Sequence, residues 1–381
     1  MKVLIASDSF KGSLSSAEAG QAISVGILKA IPNAEITVLP FGDGGEGTTE
    51  ALVQALDGVF REIEVTGPLS QKVNSRYGIV DAGKTAVIEM SEAAGISLVP
   101  KDKLNPLHTT TFGVGEMVND AISQGVRNFI VGIGGSATMD GGVGMLQALG
   151  FSFKDSEGEE ISFGARGLEH LASISCENVN PQLEECNFEI ACDVDNVLCG
   201  DYGTSAIYGP QKGGTPAMVK DIDSWLCNYA NLAKNVSPEK ADPEYPGCGA
   251  AGGLGFAFLA FTNSELKPGI EIVAKATKLE DFAKEADIVV TGEGRMDVQT
   301  AMGKVPVGVA KIAKKYDKPV IAFAGSVTKD AGECNNFGID AFFPILREFT
   351  TLEEAMEASN AKANLASTAE QVFRVLKVEQ L

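Results

Sequence analysis

VLIASDSFKGSLSSAEAGQAISVGILKAIPNAEITVL, residues 3–39, carries the clearest secondary-structure pattern in the chain. Its first four residues are continuously apolar, as in a strand that is buried on both faces. Ser15 and Glu18 form a capping box, and small or apolar residues then recur at helical spacing until Pro32. A second apolar run, Ile36–Leu39, follows. The segment predicts a strand–helix–strand unit, and such alternation predicts a parallel sheet covered by helices.

The same order of elements returns near the C-terminus. Residues 287–291 lead into the loop GEGRMD at 292–297, and the apolar run 319–324 leads into Gly325 and Ser326. Both runs are predicted to be further parallel strands, each followed by a polar loop.

The middle of the chain has a different pattern. Segments such as Val73–Met90 have the form of hairpins, and glycine-rich stretches with irregular spacing surround them. We therefore predict an α/β fold in two domains. A discontinuous, doubly wound, parallel-sheet Rossmann-like domain would span residues 1–66 and 280–381, with a second, mixed α/β domain inserted at 67–279.

Composition argues against several classes of protein. Of the 381 residues, 44% are hydrophobic and 22% are charged, which is typical of a globular protein and argues against disorder. A formal net charge of −20 without a basic run argues against nucleic acid and anionic membranes as partners. The first apolar run is too short for a signal peptide, and the glycine-containing stretch 247–264 is interpreted as a buried loop and helix. We expect a cytoplasmic protein whose seven cysteines, which form no CxxC pair, are reduced core residues.

Two nucleotide-binding patterns match by letter but not by context. Residues 78–85, GIVDAGKT, satisfy the P-loop pattern, but the flanking residues predict a hairpin and not a strand that leads into a helix. Residues 247–252 satisfy the dinucleotide pattern, but ADPEYP precedes them and cannot supply the required strand. A nicotinamide-dependent oxidoreductase is therefore not supported.

Glycine-rich loops with acidic residues follow several of the predicted strands. In open α/β sheets, ligands bind at the carboxyl ends of the strands, and glycine lets backbone N–H groups approach an oxyanion. The loops lie at residues 7–13, 41–47, 132–142 and 292–297.

The charged residues in and near these loops suit phosphoryl transfer. Carboxylates alone would repel a phosphate, so their presence makes sense if Mg²⁺ lies between acid and phosphate. The acids are Asp43, Asp140, Asp193, Asp195 and Asp297, and the bases that can clamp a phosphate or a carboxylate are Lys11, Lys212, Arg295 and Lys304. The alternative for any single loop is a turn whose Asp caps a helix and whose Gly permits a positive φ. Ser136 and Thr138, for example, are also suited to cap a helix at 143–149.

Longer motifs spread over nearly the whole chain point to one family. They are DSFKGS (8–13), PFGDGGEGT (40–48), EMSEAAG (89–95), TTTFGVGE (109–116), GIGGSATMDGGVGMLQALG (132–150), ACDVDN (191–196), YGPQKGG (208–214), GAAGGLGFA (249–257) and GEGRMDVQTAMGKVP (292–306). By these motifs the chain resembles the type 1 glycerate kinases, bacterial enzymes of glyoxylate and aldarate catabolism. The resemblance departs slightly at Val197–Cys199, where a proline is common, and at Cys248.

The resemblance implies a two-domain α/β kinase with its active site in the cleft between the domains. It also implies ATP and Mg²⁺ as co-reactants and D-glycerate as the phosphoryl acceptor. The expected products are 2-phosphoglycerate and ADP, with 3-phosphoglycerate as the alternative product.

Roles for individual residues are expectations at this point. Lys11 and Arg295 would hold the glycerate carboxylate or the transferring phosphoryl group. Asp193 and Asp195 would bind Mg²⁺, and Asp43 would either assist them or, like Asp297, orient the attacking hydroxyl. The expected catalytic residues are Lys11, Asp43, Asp193, Arg295 and Asp297. The expected substrate-binding and nucleotide-binding residues are Ser9, Gly44, Gly45, Gly134, Gly135, Ser136, Thr138, Lys212 and Lys304, of which those in the 132–142 loop would cradle the nucleotide phosphates.

Two further possibilities stay open from the sequence. A non-catalytic sensor of nucleotides or small acids could have the same fold, although binding alone does not require so many acids and bases on glycine loops. A homodimer is possible, with D-glycerate and ATP as the expected small-molecule partners.

Overall fold

The computed structural model describes residues 1–378 and shows an α/β protein. The chain forms two compact units. Unit 1 comprises Met1–Asp43, Glu50–Asp57 and the described residues from Ile270 onward, and unit 2 comprises Gly44–Thr49 and Gly58–Gly269.

Strands and helices alternate over most of the chain. The strands are β1 (Lys2–Ser7), β2 (Glu35–Pro40), β3 (Val59–Thr66), β4 (Lys72–Val80), β5 (Thr85–Glu89), β6 (Asn128–Gly132), β7 (Ser152–Lys154), β8 (Ser173–Ser175), β9 (Asn187–Ala191), β10 (Ser264–Lys267), β11 (Ile288–Met296), β12 (Val320–Val327) and β13 (Ala341–Pro344). The α-helices are α1 (Ser16–Ala30), α2 (Thr48–Ala55), α3 (Ser91–Ala94), α4 (Phe112–Ser123), α5 (Val143–Ala148), α6 (Ala165–Leu168), α7 (Thr204–Tyr208), α8 (Pro216–Val236), α9 (Ala250–Phe261), α10 (Gly269–Ala276), α11 (Leu279–Glu285), α12 (Val298–Ala301), α13 (Val305–Lys314), α14 (Leu352–Met356) and α15 (Ala358–Val378). Short 3₁₀ turns occupy Asp81–Gly83, Ile96–Leu98, Lys101–Lys103, Pro181–Glu185, Pro210–Lys212 and Ala331–Phe337.

Unit 1 is built on a parallel sheet with the strand order β13-β12-β11-β1-β2. The predicted capping box is present, because Ser15 accepts from the Glu18 amide and Glu18 accepts from the Ser15 amide. Val3 and Ile5 pack in one apolar cluster with α1 and α15, and Leu4 between them is also buried. Helix α13 packs against β1 and β11. The parallel sheet with helices predicted from the sequence is confirmed.

Unit 2 is built on a mixed sheet with the strand order β10-β9-β6-β5-β4-β3. Strands β10, β9, β6 and β5 are parallel, whereas β4 pairs antiparallel with both β5 and β3. The P-loop pattern at 78–85 lies on the β4–β5 hairpin, as the sequence predicted. A second, two-stranded sheet is formed by β7 and β8.

The observed units differ in detail from the predicted domain boundaries. Strand β3 lies within the segment assigned to the first domain, but its residues pair with β4 from Val59↔Ile79 to Thr66↔Lys72 and so belong to the sheet of unit 2. Unit 1 resumes at Ile270, ten residues before the predicted position 280. The C-terminal segment forms two helices, because Glu357 has an extended backbone between α14 and α15.

The apolar stretch 247–264 forms a buried glycine-rich turn and helix α9, as expected. Among residues 1–378, no helix combines the length and apolarity that a membrane crossing requires. Cys176 is exposed, so the interpretation of all seven cysteines as core residues is wrong at that position.

Candidate active site

Three carboxyl groups lie at the carboxyl ends of adjacent strands in unit 1. Asp8 follows β1, Asp43 follows β2, and Glu293 lies on β11. The Asp8 amide donates to the Gly292 carbonyl over 2.9 Å, which places Asp8 beside Glu293. We call Asp8, Asp43 and Glu293 the acid cluster.

Burial makes two members of the acid cluster suited to proton transfer. Asp8 is 6% exposed and Glu293 is 5% exposed. Burial, with the nearby Asp43 charge adding to it, raises the pKa of Asp8 to about 7, although Lys11 opposes the shift. Burial also raises the pKa of Glu293 to about 7, against a hydrogen bond from Thr300. A carboxyl group with a pKa near neutrality can accept or release a proton at cellular pH.

Basic side chains border the acid cluster and stay accessible. Lys11 Nζ lies 3.8 Å from Asp43 Oδ2, and Arg295 Nε lies 3.5 Å from Asp297 Oδ2. The Lys11 and Arg295 side chains are 57% and 65% exposed. Lys304 Nζ lies 4.0 Å from Asp297 Oδ1. These long ion-pair distances and high exposures leave the cations able to engage an anionic ligand.

The loops that carry these residues are adjacent. The segment 292–297 was expected to be a loop, but residues 292–296 continue β11. A Cβ added to Gly294 would lie 3.3 Å from the Lys11 amide nitrogen, so the end of β11 lies close to the 8–13 loop. Ser9 contributes its amide, which donates to Asp8 Oδ1 over 2.7 Å. The structure therefore brings the predicted residues Ser9, Lys11, Asp43, Arg295, Asp297 and Lys304 to one edge of the unit 1 sheet.

Asp297 also has a structural contact, as the alternative interpretation of the loops required. It is the N-cap of α12, and its Oδ1 accepts from the Gln299 amide over 2.9 Å. The Thr300 hydroxyl accepts from the Asp297 amide over 3.0 Å and donates to Glu293 Oε1 over 2.6 Å. Glu293 is thus linked through Thr300 to the backbone of Asp297.

In unit 2, a glycine turn follows β6 and presents backbone donors. Gly134 and Gly135 are exposed, and Gly135 has a φ of +73°, a conformation that glycine adopts without strain. Among residues 1–378, the amides of Gly134, Gly135 and Ser136 donate to no acceptor of the protein. Consecutive amides of this kind form an anion-binding concavity. We call Gly134–Ser136 the glycine turn.

Surrounding hydrogen bonds hold the glycine turn in place. The Ile96 amide donates to the Gly135 carbonyl over 2.8 Å, and the Ala137 amide donates to the Ala94 carbonyl over 2.9 Å. The Thr109 hydroxyl donates to the Ala137 carbonyl over 2.9 Å. The turn is therefore preorganised from the motifs at 89–95 and 109–116, and Ser136 and Thr138 do not cap α5, whose N-cap is Gly142 without a side-chain bond.

Lys212 and Asp140 lie beneath the turn and not on its surface. Lys212 is 2% exposed, and its ammonium donates to Ser136 Oγ over 2.7 Å and to the Thr138 carbonyl over 2.8 Å. Asp140 is 1% exposed and accepts from the amides of Thr111, Gly142 and Gly144 and from the Thr111 hydroxyl. Burial raises the pKa of Asp140, whereas these hydrogen bonds lower it. Both side chains are buried inside unit 2, so the phosphate-binding role expected for Lys212 and the metal role considered for Asp140 stay predictions.

The segment Gly44–Thr49 packs against the ends of β6 and β9. A Cβ on Gly44 would lie 2.3 Å from the Ala191 Cβ, and the Gly44 amide donates to Thr48 Oγ1 over 2.9 Å. Glu89 holds the segment, since its carboxylate accepts from the Thr49 amide over 2.8 Å. Gly45 lies next to the glycine turn, because a Cβ on Gly134 would lie 3.6 Å from the Gly45 Cα.

Asp193 and Asp195 follow β9 and are exposed. Asp193 Oδ1 accepts from the Gly269 amide over 3.0 Å. Among residues 1–378, no group of three or more His, Cys, Asp or Glu side chains is arranged as a complete metal site. Mg²⁺ commonly binds to one or two carboxylates and takes its other ligands from water and substrate phosphates. The two exposed carboxylates fit that donor set.

Sequence reasoning did not assign a site role to Asp8, Glu293, Glu89 or Thr300. All four lie inside the family motifs at 8–13, 89–95 and 292–306. What was missing was their burial, which only the pairing of β1 with β11 and of β5 with β6 reveals. One sequence pattern could have identified the three acids: an acidic residue directly after a continuous apolar strand or at its end.

Comparison with known proteins identifies the family. The model of the glycerate kinase family matches residues 3–377. The chain belongs to the glycerate kinase family. It is 48% identical to a glycerate kinase of Haemophilus influenzae over 99% of both chains. It is also 48% identical to the glycerate 2-kinase of Escherichia coli K12, over 97% of this chain and 98% of that protein.

A solved structure has the same fold over its full length. The crystal structure of a protein assigned as glycerate kinase 2 from Salmonella typhimurium LT2 superposes with a TM-score of 0.91 at 46% identity. It covers 100% of this chain and 99% of that chain. The family predicted from the motifs is confirmed, and so is the fold class.

Proposed function

We propose that this protein is a glycerate 2-kinase, which transfers the γ-phosphate of ATP to D-glycerate and releases 2-phosphoglycerate and ADP. The observation that carries the proposal is the 48% identity to the E. coli glycerate 2-kinase over 97% of the chain. Because identity extends over essentially the whole of both proteins, the resemblance covers both units and not a shared domain alone.

In unit 1, the proposed ligand is glycerate. Lys11 and Arg295 are exposed cations suited to its carboxylate or to the phosphoryl group in transfer. Asp8, whose carboxyl group has a pKa of about 7, is the proposed acceptor of the proton that leaves the attacking hydroxyl. Asp43 and Asp297 keep Lys11 and Arg295 oriented at the same edge.

In unit 2, the proposed ligand is the nucleotide. The amides of the glycine turn would bind phosphate oxygens, as backbone nests do in other phosphate sites. Asp193 and Asp195 are the proposed Mg²⁺ ligands. Bound Mg²⁺ would neutralise charge on the phosphates, which is its usual contribution to phosphoryl transfer.

The test is product analysis with D-glycerate, ATP and Mg²⁺. A coupled assay for ADP shows whether phosphoryl transfer occurs, and phosphorus NMR of the product distinguishes 2-phosphoglycerate from 3-phosphoglycerate. Omitting D-glycerate measures ATP hydrolysis by water. A sensor would bind ATP without forming ADP, and the absence of glycerate-dependent ADP formation would refute the proposal.

The remaining expectations are part of the same proposal. The net charge of −20 supports a protein without nucleic acid or membrane partners. The proposed location of the enzyme is the cytoplasm. A homodimer can be tested by light scattering of the purified protein, in which a mass near the 39.8 kDa of one chain would exclude it.

A further inference from the structure

The hydroxyl of Ser136 is hydrogen bonded from beneath by a buried ammonium. Lys212 Nζ lies 2.7 Å from Ser136 Oγ and 2.8 Å from the Thr138 carbonyl oxygen. Ser136 itself is 8% exposed and closes the glycine turn, next to the exposed Gly134 and Gly135.

This contact determines which way the Ser136 hydroxyl is used. An ammonium group has three donors and no acceptor, so the Ser136 oxygen must be the acceptor in the contact with Lys212. The hydroxyl proton is then available in another direction. Among residues 1–378, Ser136 Oγ donates to no acceptor of the protein. The hydroxyl therefore joins the three amides of the glycine turn as a fourth donor that lacks a protein acceptor.

Lys212 cannot itself reach a ligand in this arrangement. Its side chain is 2% exposed, and two of its three protons are used inside the unit. The charged or titratable groups that act on this region are Asp140, which favours the ammonium form, and the buried Tyr229, which lies within the field of Asp140. A buried cation with two internal acceptors is suited to orient its neighbours and not to clamp an anion.

We propose that Lys212 is a positioning residue that acts through Ser136, by committing the Ser136 hydroxyl to donate to a phosphate oxygen of the bound nucleotide. The inference rests on the proposed function, because it takes the nucleotide as the anion at the glycine turn. It goes further in assigning to Ser136 a direct hydrogen bond and to Lys212 an indirect role.

The arrangement has a consequence for pH dependence. Burial lowers the pKa of Lys212 to about 7, and Asp140 opposes the shift. When Lys212 loses its proton, its nitrogen becomes an acceptor and the Ser136 hydroxyl can turn inward to donate to it. Nucleotide affinity should therefore fall as pH rises through neutrality, and this fall should require the Ser136 hydroxyl.

Calorimetric titration with ADP at fixed Mg²⁺ tests the inference. The variants are Ser136→Ala, Lys212→Met and the double variant, with Lys220→Met, an exposed lysine of α8, as the matched control. Loss of a hydrogen bond to a charged group should weaken ADP binding by about 10-fold to 100-fold in Ser136→Ala and in Lys212→Met. The double variant should bind about as weakly as Ser136→Ala, since Lys212 acts through that hydroxyl. Lys220→Met should bind ADP like the wild type.

A second measurement does not depend on the folding of Lys212→Met. ADP affinity of the wild type and of Ser136→Ala is compared between about pH 6 and about pH 9, so that the titration of ADP itself cancels. The wild type should bind ADP more tightly than Ser136→Ala at low pH, and this difference in affinity should disappear as pH rises. Two results would overturn the inference. One is a ratio of wild-type to Ser136→Ala affinity for ADP that stays constant across this pH range. The other is a loss of ADP affinity in the double variant that equals the product of the losses in the two single variants.

The outcomes separate the inference from the proposed function. If the wild type phosphorylates glycerate but Ser136→Ala binds ADP equally well, the inference fails and the function stands. If the wild type binds ADP with the expected dependence on Ser136 but forms no phosphoglycerate, the function fails and the role of Lys212 stands. A wild type that binds no ADP overturns the inference.

Discussion

The hydroxyl of Thr300 donates a hydrogen bond of 2.6 Å to the carboxylate of Glu293, and both side chains are buried. This bond stabilises the ionised form of Glu293 against the burial that raises its pKa. Because Thr300 Oγ1 also accepts from the Asp297 amide, one hydroxyl links a titrating carboxyl group to the backbone at the end of β11, next to Arg295.

Replacing Thr300 with valine should shift the pH dependence of catalysis. Valine has a similar shape but removes the hydroxyl, so the pKa of Glu293 should rise further above about 7. We expect kcat/KM for glycerate to fall by about tenfold, with its acidic limb moved to higher pH. Thr300→Ser keeps the hydroxyl and should restore both. A Thr300→Val enzyme with an unchanged pH profile would show that Glu293 does not titrate in catalysis.

Asp8→Asn should stabilise the protein at alkaline pH. The pKa of Asp8 rises from 3.8 to about 7 on folding, so the folded state holds this proton over a range in which the unfolded state has lost it. Stability contributed at this site is therefore highest at low pH and is lost as pH rises from about 4 to about 7. Asparagine has no charge to bury, so the variant should gain up to a few kcal/mol over the wild type at pH 8 and nothing below about pH 4.

The measurement for Asp8→Asn is thermal unfolding at several pH values, together with kcat. The same variant should lose glycerate phosphorylation by about 100-fold or more, as expected for removal of a proton acceptor. Greater stability with lower activity is a combination that simple misfolding cannot produce. A melting temperature below that of the wild type at pH 8 would contradict the assigned burial of an ionised Asp8.

Asp195→Asn should weaken Mg²⁺ binding without disturbing the fold. Asp195 is exposed after β9, and an amide keeps its size but loses the charge that attracts a divalent cation. We expect the Mg²⁺ concentration for half-maximal activity to rise by about tenfold or more, with an unchanged melting temperature. Asp201→Asn, an exposed acid further along the same loop, is the control. Equal Mg²⁺ dependence in all three proteins would remove Asp195 from the metal site.

Local signals explain why much of the fold was predictable. Two signals are local in the sequence: the apolar run before Asp8 and the capping box at Ser15 and Glu18. Because each spans only a few residues, β1 and α1 could be predicted directly. Residues 59–66 were assigned to the first domain, but they form β3 and pair antiparallel with β4 in the sheet of unit 2. Which sheet a strand joins depends on the strands with which it pairs, and a short stretch of sequence does not contain those partner strands.

The sequence predicts the location of those site residues that lie at the carboxyl ends of strands. Lys11 and the glycine turn follow strands, and Arg295 lies near the carboxyl end of β11. These positions match the expectation that ligands bind at carboxyl ends. Burial was not predictable in the same way. Lys212 lies in a polar motif, YGPQKGG, which does not indicate that its ammonium group is buried against Ser136. Glu293 resembles an ordinary acidic residue of a loop, and its burial is evident only from the pairing of β11 with β1.

Alanine substitutions at Gly132 and Gly134 should differ in their effect on stability. Only the substitution at Gly132 causes a steric clash, whereas both remove the backbone flexibility of a glycine. A Cβ on Gly132 would lie 2.1 Å from the Gly44 carbonyl oxygen, a distance that backbone atoms cannot accept, whereas a Cβ on Gly134 would make an ordinary contact of 3.6 Å with Gly45. Gly132→Ala must push Gly44–Thr49 away from the end of β6, and overpacking of this kind should cost about 1–3 kcal/mol in free energy of unfolding. Gly134→Ala should unfold within about 1 kcal/mol of the wild type, because neither its φ nor its surroundings exclude a methyl group. Chemical denaturation of both variants measures the difference, and equal stabilities would mean that the Gly44–Thr49 segment does not pack on β6 in solution.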